Sequence, residues 1–164
     1  MKTLLILRHA KSSWDNARLA DHDRPLKARG KQDAPKMGRL LRRLDLTPEL
    51  IISSTARRAH DTAELVAEAC GYEEEVLLTE DFYQAGPEEY LEVLQQLPDT
   101  LTRVMVIGHN PGLEMLLETL TEDWERLPTA ALAEVALPIA HWAELTEATS
   151  GELRQLWCPR EVEE

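Results

Sequence analysis

The 164-residue sequence contains only two cysteines, Cys70 and Cys158. They do not form a C-x-x-C pair and no secretory context surrounds them, so the sequence predicts neither a disulfide framework nor a zinc ribbon. We interpret both as small apolar side chains that are buried or half-buried. The length is typical of one domain, and we expect residues 1–164 to form a single domain whose core needs no disulfide or metal.

Positive charge is also scarce, because 18 Lys and Arg residues stand against 30 Asp and Glu residues, for a net charge of -12. Proteins that bind the phosphate backbone of nucleic acids need a surplus of Lys and Arg on one face. We therefore expect neither nucleic acid nor an anionic membrane as a partner. An acidic protein repels phosphorylated ligands at long range, so any phosphate site requires a local concentration of positive charge.

Long apolar runs are absent as well. The N-terminal run at 3–7 has five residues before Arg8, which is too short for a signal-peptide core or a membrane span. We expect a cytoplasmic protein. The sequence also shows no internal repeats, low-complexity tracts or linkers.

Short apolar runs alternate with helical patterns through the first two thirds of the chain, and further strand patterns follow. The runs that predict strands lie at 3–7, 50–52, 76–78, 103–107, 132–138, 141–146 and 153–158. The helices are predicted within 27–44, at 59–70 with Gly71 as C-cap, from Pro87 to Pro98, and after Asn110 as N-cap with Pro111 in the first position. Strand and helix alternation of this kind predicts an α/β sandwich with a mostly parallel sheet.

Polar side chains follow three of these strands. Arg8 and His9 come after the first, Arg58 after the second, and His109 after the fourth. Because ligands of α/β sheets bind at the carboxyl ends of the strands, we expect these four side chains to converge. Arginine forks match phosphate oxygens, and a neutral histidine can attack phosphorus. The helix expected to open at Pro111 adds the positive end of its dipole.

The motifs that contain these residues occur in a fixed order. They are LRHAKS at 7–12, Ser54 with RA at 58–59 and TA at 62–63, GHNPG at 108–112, RPL at 24–26 with Gly30, and CPR at 158–160. In these motifs the chain resembles the histidine phosphatase superfamily, and within it the short SixA-like branch of phosphohistidine phosphatases. The resemblance extends over nearly the whole sequence.

The resemblance implies a phosphoglycerate mutase-like fold, which is a three-layer αβα sandwich with a mixed, mostly parallel central sheet. It also implies a phosphatase that needs no metal or cofactor and forms a covalent phosphohistidine on His9. Arg8, Arg58 and His109 would then hold the phosphoryl group, with His109 protonated when phosphate is bound. For His9 to attack, its near nitrogen must donate a hydrogen bond, commonly to a backbone carbonyl.

The other predicted site residues have weaker motif support. Asn110 and Ser12 are candidates for phosphate or substrate binding, and Glu80 or Asp81 could be the general acid, with no motif choosing between them. An alkoxide leaving group needs a strong acid, whereas an imidazole can leave as a neutral molecule. The absence of a motif for the acid fits the substrate that the resemblance implies, a phosphohistidine-containing protein such as a phosphorelay domain. A phosphorelay histidine would need a shallow, open pocket.

Two other functions are compatible with the sequence. The first is a small-molecule phosphomonoesterase of the same superfamily, and the second is a phosphoprotein-binding module without turnover. The intact set of Arg8, His9, Arg58 and His109 argues against the second, because a binding module needs no nucleophile. A metal site on the two histidines is not expected, because the arginines would repel a divalent cation and the motifs show no second-shell carboxylates.

Overall fold

A six-stranded sheet forms the centre of the molecule. The computed structural model describes residues 1–163, so the last residue of the predicted domain range lies outside it. The strands are β1 (Lys2–Arg8), β2 (Leu50–Ser54), β3 (Leu77–Thr79), β4 (Arg103–Gly108), β5 (Leu132–Leu137) and β6 (Glu152–Trp157). The helices are α1 (Ala28–Arg43), α2 (Arg57–Cys70), α3 (Pro87–Gln95) and α4 (Gly112–Thr121).

The strands follow the order β3-β2-β4-β1-β5-β6 across the sheet. The first four are parallel to one another, whereas β5 runs antiparallel to both β1 and β6. The prediction of a mixed, mostly parallel sheet is therefore confirmed. In this order β2, β4 and β1 are neighbours, so their carboxyl ends lie side by side.

Helices cover both faces of the sheet, because β1 alternates its buried side chains between two cores. Leu4 and Ile6 belong to the core that contains residues of α3 and α4. Leu5 and Leu7 belong to the core that contains residues of α1 and α2. A strand buried on both faces reads as a continuous apolar run, as in the sequence. The expected three-layer αβα sandwich is confirmed.

The helix ends agree with the sequence at α2 and differ from it at α4. Gly71 ends α2 with a φ of 81°, in the left-handed region, and its N–H donates to the carbonyl of Ala67. Helix α4 begins at Gly112, one residue later than predicted, and Asn110 does not cap it. The Asn110 amide instead donates to the carbonyl of Leu127 at 2.8 Å. The predicted cap was wrong: the side-chain amide points its donor at Leu127, and Oδ1, the atom that would have to accept a helix N–H, is buried without a hydrogen-bond partner.

The strand predicted at 141–146 was also wrong. Residues Trp142–Glu144 form a 3₁₀ turn, and both Trp142 and Leu145 are fully buried. A separation of three places two side chains on the same side of a 3₁₀ turn, whereas a strand would point them in opposite directions. The Trp142 indole N–H donates to the carbonyl of Leu101 at 2.8 Å. Burial of this one large side chain fixes the turn.

The start of α1 packs closely against the chain that follows His9. A Cβ atom on Gly30 would overlap the carbonyl oxygen of Lys11, which also accepts a hydrogen bond from the Lys27 N–H at 2.9 Å. A glycine is required where two backbones approach this closely. The glycine of the predicted RPL…G motif thus supports the backbone beside the candidate nucleophile.

Candidate active site

The four predicted core residues of the site lie at one edge of the sheet. Arg8 ends β1 opposite Gly108 of β4, and the His9 N–H donates to the Gly108 carbonyl at 3.1 Å. Arg58 lies in the first turn of α2, directly after β2. The ring centroids of His9 and His109 are 5.2 Å apart, and the positive charges of both arginines lower the pKa of both rings. The structure therefore brings the four residues together.

His9 is buried and held by its near ring nitrogen. Its Nδ1 lies 2.8 Å from the carbonyl oxygen of Ala10, which can only accept a hydrogen bond, so the ring proton is on Nδ1. Burial is the largest of the effects that lower the pKa of His9 to about 3; the Ala10 bond raises this pKa, and the positive charges of His109, Arg58 and Arg8 lower it. The imidazole is therefore neutral at physiological pH, and the lone pair of Nε2 is available for attack.

The backbone after His9 is tied to helix α2. The Ala10 N–H donates to Thr62 Oγ1 at 3.0 Å, and the Thr62 hydroxyl donates to the carbonyl of Arg58 at 2.7 Å. Thr62 belongs to the second motif, and this chain of bonds gives it a physical role. It joins the residue that orients the His9 ring to the residue that supplies the second guanidinium.

The His109 ring is also held by a residue of the second motif, Ser54. Its Nε2 lies 2.8 Å from Ser54 Oγ, and Ser54 Oγ also accepts the N–H of Ala56 at 3.2 Å. If the Ser54 hydroxyl donates to Nε2, the ring proton lies on Nδ1, which is buried without a hydrogen-bond partner. Burial lowers the pKa of His109 to about 4, and the charge of Arg58 contributes. In that tautomer the Nδ1–H of His109 is not used by any residue among 1–163.

Arg58 is paired with a carboxylate from the loop before α1. Its Nη2 lies 3.0 Å from Asp21 Oδ2, and its Nη1 donates to the Asp21 carbonyl at 2.8 Å. Arg24 and Tyr83 hold the same carboxylate, with the Tyr83 hydroxyl 2.6 Å from Oδ2. The Tyr83 bond is the largest of the effects that lower the pKa of Asp21 to about 2. Asp21 is consequently ionised and cannot donate a proton at neutral pH.

Arg8 is held by a backbone carbonyl instead of a carboxylate. Its Nη1 donates to the carbonyl of Leu127 at 3.0 Å, which also accepts the Asn110 amide. The Leu127 N–H in turn donates to Glu114 at 2.8 Å. Arg8 Nε is buried and has no hydrogen-bond partner. The 122–131 connection after α4 therefore positions Arg8 and leaves part of its guanidinium free for a ligand.

The remaining predicted residues lie elsewhere in the hydrogen-bond network. Ser12 is buried, but its hydroxyl accepts from Arg24 at 3.0 Å, and Asn110 contacts Leu127 as described. Glu80 and Asp81 are both exposed on a 3₁₀ turn after β3. The carboxylate hydrogen-bonded to Arg58 comes from Asp21. The choice of Glu80 or Asp81 as general acid stays a prediction.

The sequence analysis did not identify Asp21 or Tyr83 as site residues. The Tyr83 ring lies edge-on to His109, with ring centroids 5.6 Å apart, and its hydroxyl bonds Asp21. Asp21 lies in an aperiodic polar loop, and the available signal was its position three residues before the Arg24 of the RPL motif, with which it forms an ion pair.

Comparison with known proteins identifies the family. Residues 4–105 match the family model of the histidine phosphatase superfamily, branch 1, and the chain belongs to this superfamily. An uncharacterized chloroplastic protein of Arabidopsis thaliana is 37% identical over 142 residues, covering 80% of this chain and 65% of that protein. An uncharacterized protein of Mycobacterium tuberculosis is 30% identical over 150 residues, covering 85% of this chain and 91% of the relative.

Solved structures of SixA proteins resemble the chain over nearly its full length. A protein of Agrobacterium tumefaciens named phosphohistidine phosphatase SixA superposes with a TM-score of 0.82 at 26% identity, covering 96% of this chain and 98% of the other. The protein histidine phosphatase SixA complexed with tungstate gives a TM-score of 0.83 at 23% identity, covering 97% and 98%. The chain thus belongs to the SixA-type branch of the superfamily.

The described residues include neither a membrane-spanning helix nor a metal-binding cluster. Within residues 1–163, no helix is both long and apolar enough to cross a membrane. Over the same range, no group of three or more His, Cys, Asp or Glu side chains could hold a metal ion.

Proposed function

We propose that this protein is a phosphohistidine phosphatase that acts through a covalent phosphohistidine on His9. One observation supports the mechanism most directly. His9 is a buried, neutral imidazole whose Nδ1 is engaged by Ala10, beside two arginines that suit a phosphoryl group. The similarity to SixA proteins supports the substrate class.

The first step of the proposed reaction transfers the phosphoryl group to His9. The lone pair of Nε2 attacks phosphorus and forms an N–P bond, while the bond from phosphorus to the substrate nitrogen breaks. The leaving imidazole keeps that electron pair and takes up a proton. Arg8, Arg58 and the Nδ1 of His109 hold the phosphoryl oxygens, whose charge is best stabilised by donors that are already in place.

In the second step water attacks the phosphorus of phosphorylated His9. The N–P bond breaks, its electron pair returns to Nε2, and inorganic phosphate leaves. The imidazole is thereby restored to its neutral state for the next cycle. No metal ion or organic cofactor enters either step.

The surroundings of the site favour a phosphohistidine over a phosphate ester. An ester leaves as an alkoxide and needs a proton donor, whereas an imidazole can depart with little assistance. The carboxylate on Arg58 belongs to Asp21, whose pKa of about 2 leaves it ionised and unable to act as that donor. This arrangement supports the phosphohistidine substrate.

Hydrolysis of two substrates tests the proposal. Phosphate release is measured, with EDTA present, from a phosphohistidine-containing phosphorelay protein and from phosphoserine, an ester whose alkoxide leaving group needs a proton. The wild type is expected to prefer the phosphoprotein, and His9→Ala to lower kcat by roughly 10⁴ or more, as for other nucleophile removals. His60→Ala is the matched control, because His60 is on the same helix as Arg58 but its ring bonds Glu64 near the surface.

The phosphoenzyme provides a second measurement. Brief incubation of the wild type with labelled substrate should yield a phosphorylated protein that is stable to alkali and labile to acid, and His9→Ala should yield none. A better rate on the ester that still depends on His9 would show a small-molecule phosphomonoesterase. Undiminished activity of His9→Ala would disprove the mechanism, and binding of the phosphoprotein without turnover would show a binding module.

A further inference from the structure

A cationic cavity lies directly beside the phosphate pocket. Its volume is about 450 Å³. Arg8 lines this cavity and is also one of the arginines of the phosphate pocket. The cavity has five cationic side chains and one carboxylate in its wall, namely Arg8, Lys11, Arg29, Arg126, Arg160 and Glu114. In a protein with 30 acidic and 18 basic residues, this is a concentration of charge opposite in sign to the molecule as a whole.

The charges in the cavity wall are only weakly compensated by the protein. Glu114 is engaged with the backbone of Leu127, although its charge still acts on Arg8. Arg29 has an exposed ion pair with Asp33 at 3.4 Å. Within residues 1–163, Lys11, Arg126 and Arg160 form no ion pair with a carboxylate. Like charges gathered in one concavity repel one another and attract an anion.

Arg8 connects this cavity to the reaction. Its Nη1 donates to the carbonyl of Leu127, which also lines the cavity, and its Nε is buried without a partner. A phosphoryl group on His9 and an anion in the cavity would therefore lie on neighbouring parts of the same guanidinium. One substrate that carries two anionic groups can fill both places.

We propose that the cavity is a second anion subsite, which binds a carboxylate or phosphate that the substrate carries beside the phosphoryl group being removed. The inference rests on the proposed use of His9 as nucleophile and adds a requirement about the substrate. For a phosphoprotein, the requirement is an Asp or Glu side chain next to the phosphohistidine. For a small molecule, it is a second phosphate or a carboxylate.

The expected size of the substrate preference follows from the solvent exposure of two arginines in the cavity wall. Arg126 and Arg160 are exposed, and a charge pair at an exposed site contributes up to about 1 kcal/mol. Two such contacts correspond to a preference of roughly 5- to 30-fold in kcat/KM for the substrate with the second anion.

Two matched pairs of substrates test the subsite. The first pair is a phosphohistidine peptide with flanking Asp residues and the same peptide with Asn, and the second is a hexose bisphosphate and the corresponding monophosphate. Each is assayed with the wild type, with Arg126→Gln/Arg160→Gln, and with Arg154→Gln as control. Arg154 is an exposed arginine of β6 that neighbours Glu152 outside this cavity.

The wild type and the control are expected to prefer the Asp peptide, and the double variant to lose the preference while hydrolysing p-nitrophenyl phosphate at the wild-type rate. A preference shown only with the hexose pair, and lost in the double variant, would keep the subsite and assign it to a small-molecule substrate. The phosphohistidine substrate would be disproved if neither peptide were hydrolysed. Equal rates within both pairs, or a preference that survives in the double variant, would overturn the subsite. The proposed function would then still stand on His9-dependent hydrolysis of the peptides.

Discussion

The two arginines of the site are held in different ways. Arg58 is paired with the ionised carboxylate of Asp21, so much of its charge is compensated before a ligand arrives. Arg8 is held by the neutral carbonyl of Leu127 and opens onto a cationic cavity. A phosphoryl group must share Arg58 with a competing anion, whereas on the Arg8 side it meets positive charge that is only weakly compensated. One side of the site therefore limits anion binding and the other strengthens it.

The largest expected effect on activity comes from removing the guanidinium of Arg8 or of Arg58. Arg8→Ala is expected to lower kcat/KM by roughly 10²- to 10³-fold, as for the loss of one transition-state donor. Arg58→Ala should cost more, because it also leaves the Asp21 carboxylate facing the phosphoryl group. Steady-state kinetics of both variants, with Arg58→Ala/Asp21→Asn completing a double-mutant cycle, measure the coupling. If Asp21→Asn recovers no activity in the Arg58→Ala background, the two residues do not act as a pair.

The pH dependence of the free energy of unfolding tests whether the fold holds His9 and His109 in their neutral form. The pKa of His9 is about 3 and that of His109 about 4 in the folded protein, below the ordinary value of about 6.5. Each therefore stabilises the fold fully above pH 6.5, and its contribution is lost as the pH falls from 6.5 toward the folded pKa. The loss amounts to as much as about 1.4 kcal/mol per pH unit for each histidine.

Denaturant unfolding at several pH values between 7 and 4.5 measures this loss. The free energy of unfolding of the wild type should fall more steeply with decreasing pH than that of His9→Gln/His109→Gln, whose side chains do not titrate. Parallel curves for the two proteins would mean that the histidines are not held neutral by the fold.

Neutralising Asp21 is expected to have a smaller effect, on the binding of phosphate at Arg58. Asp21→Asn keeps the shape of the side chain and removes the anion that competes for Arg58. Inorganic phosphate should then inhibit more strongly, with a Ki lower by about 5-fold, the equivalent of roughly 1 kcal/mol for a partly exposed charge. Competitive inhibition assays of this variant and of Tyr83→Phe, which retains the carboxylate, measure the difference. A higher Ki in Asp21→Asn would mean that the carboxylate chiefly orients Arg58 for the ligand.

Ser12 gives the smallest expected effect. Its hydroxyl accepts a hydrogen bond from Arg24, whose side chain also holds Asp21. Ser12→Ala should therefore change kcat/KM by less than about 3-fold and lower the free energy of unfolding by about 1 kcal/mol, the usual worth of one hydrogen bond. Kinetics and thermal unfolding check both values. A 100-fold loss of activity would support the sequence-based prediction that Ser12 binds the substrate.

The parts of the molecule that the sequence predicted are those fixed by local pattern. The run before Arg8 is apolar throughout because β1 is buried on both faces, and the motif at 108–112 follows another such strand. Strand ends in a parallel sheet meet at one edge, so the convergence of His9 and His109 could be anticipated. The C-cap at Gly71 was similarly predictable, because a left-handed residue after a helix is usually glycine.

The parts that the sequence did not predict depend on contacts between distant segments. Asp21 reaches Arg58 across 37 residues and Tyr83 across 62, and neither lies in a periodic pattern. Asn110 has the chemistry of a helix cap, but its side chain is held by donating to the Leu127 carbonyl, and its Oδ1 accepts no helix N–H. The turn at Trp142–Glu144 depends on a pocket for one buried indole. In each case a tertiary contact outweighs the local preference.

The place of β1 in the sheet has a consequence for the order in which the protein can become active. Its two neighbours are β4 and β5, which begin at residues 103 and 132, so the strand before His9 pairs only with segments that are synthesised well after it. The connection that anchors Arg8 is made late as well. His9 is thus synthesised before the strands that complete its surroundings. A nascent chain that stops before β5 contains every predicted catalytic side chain but has no assembled site.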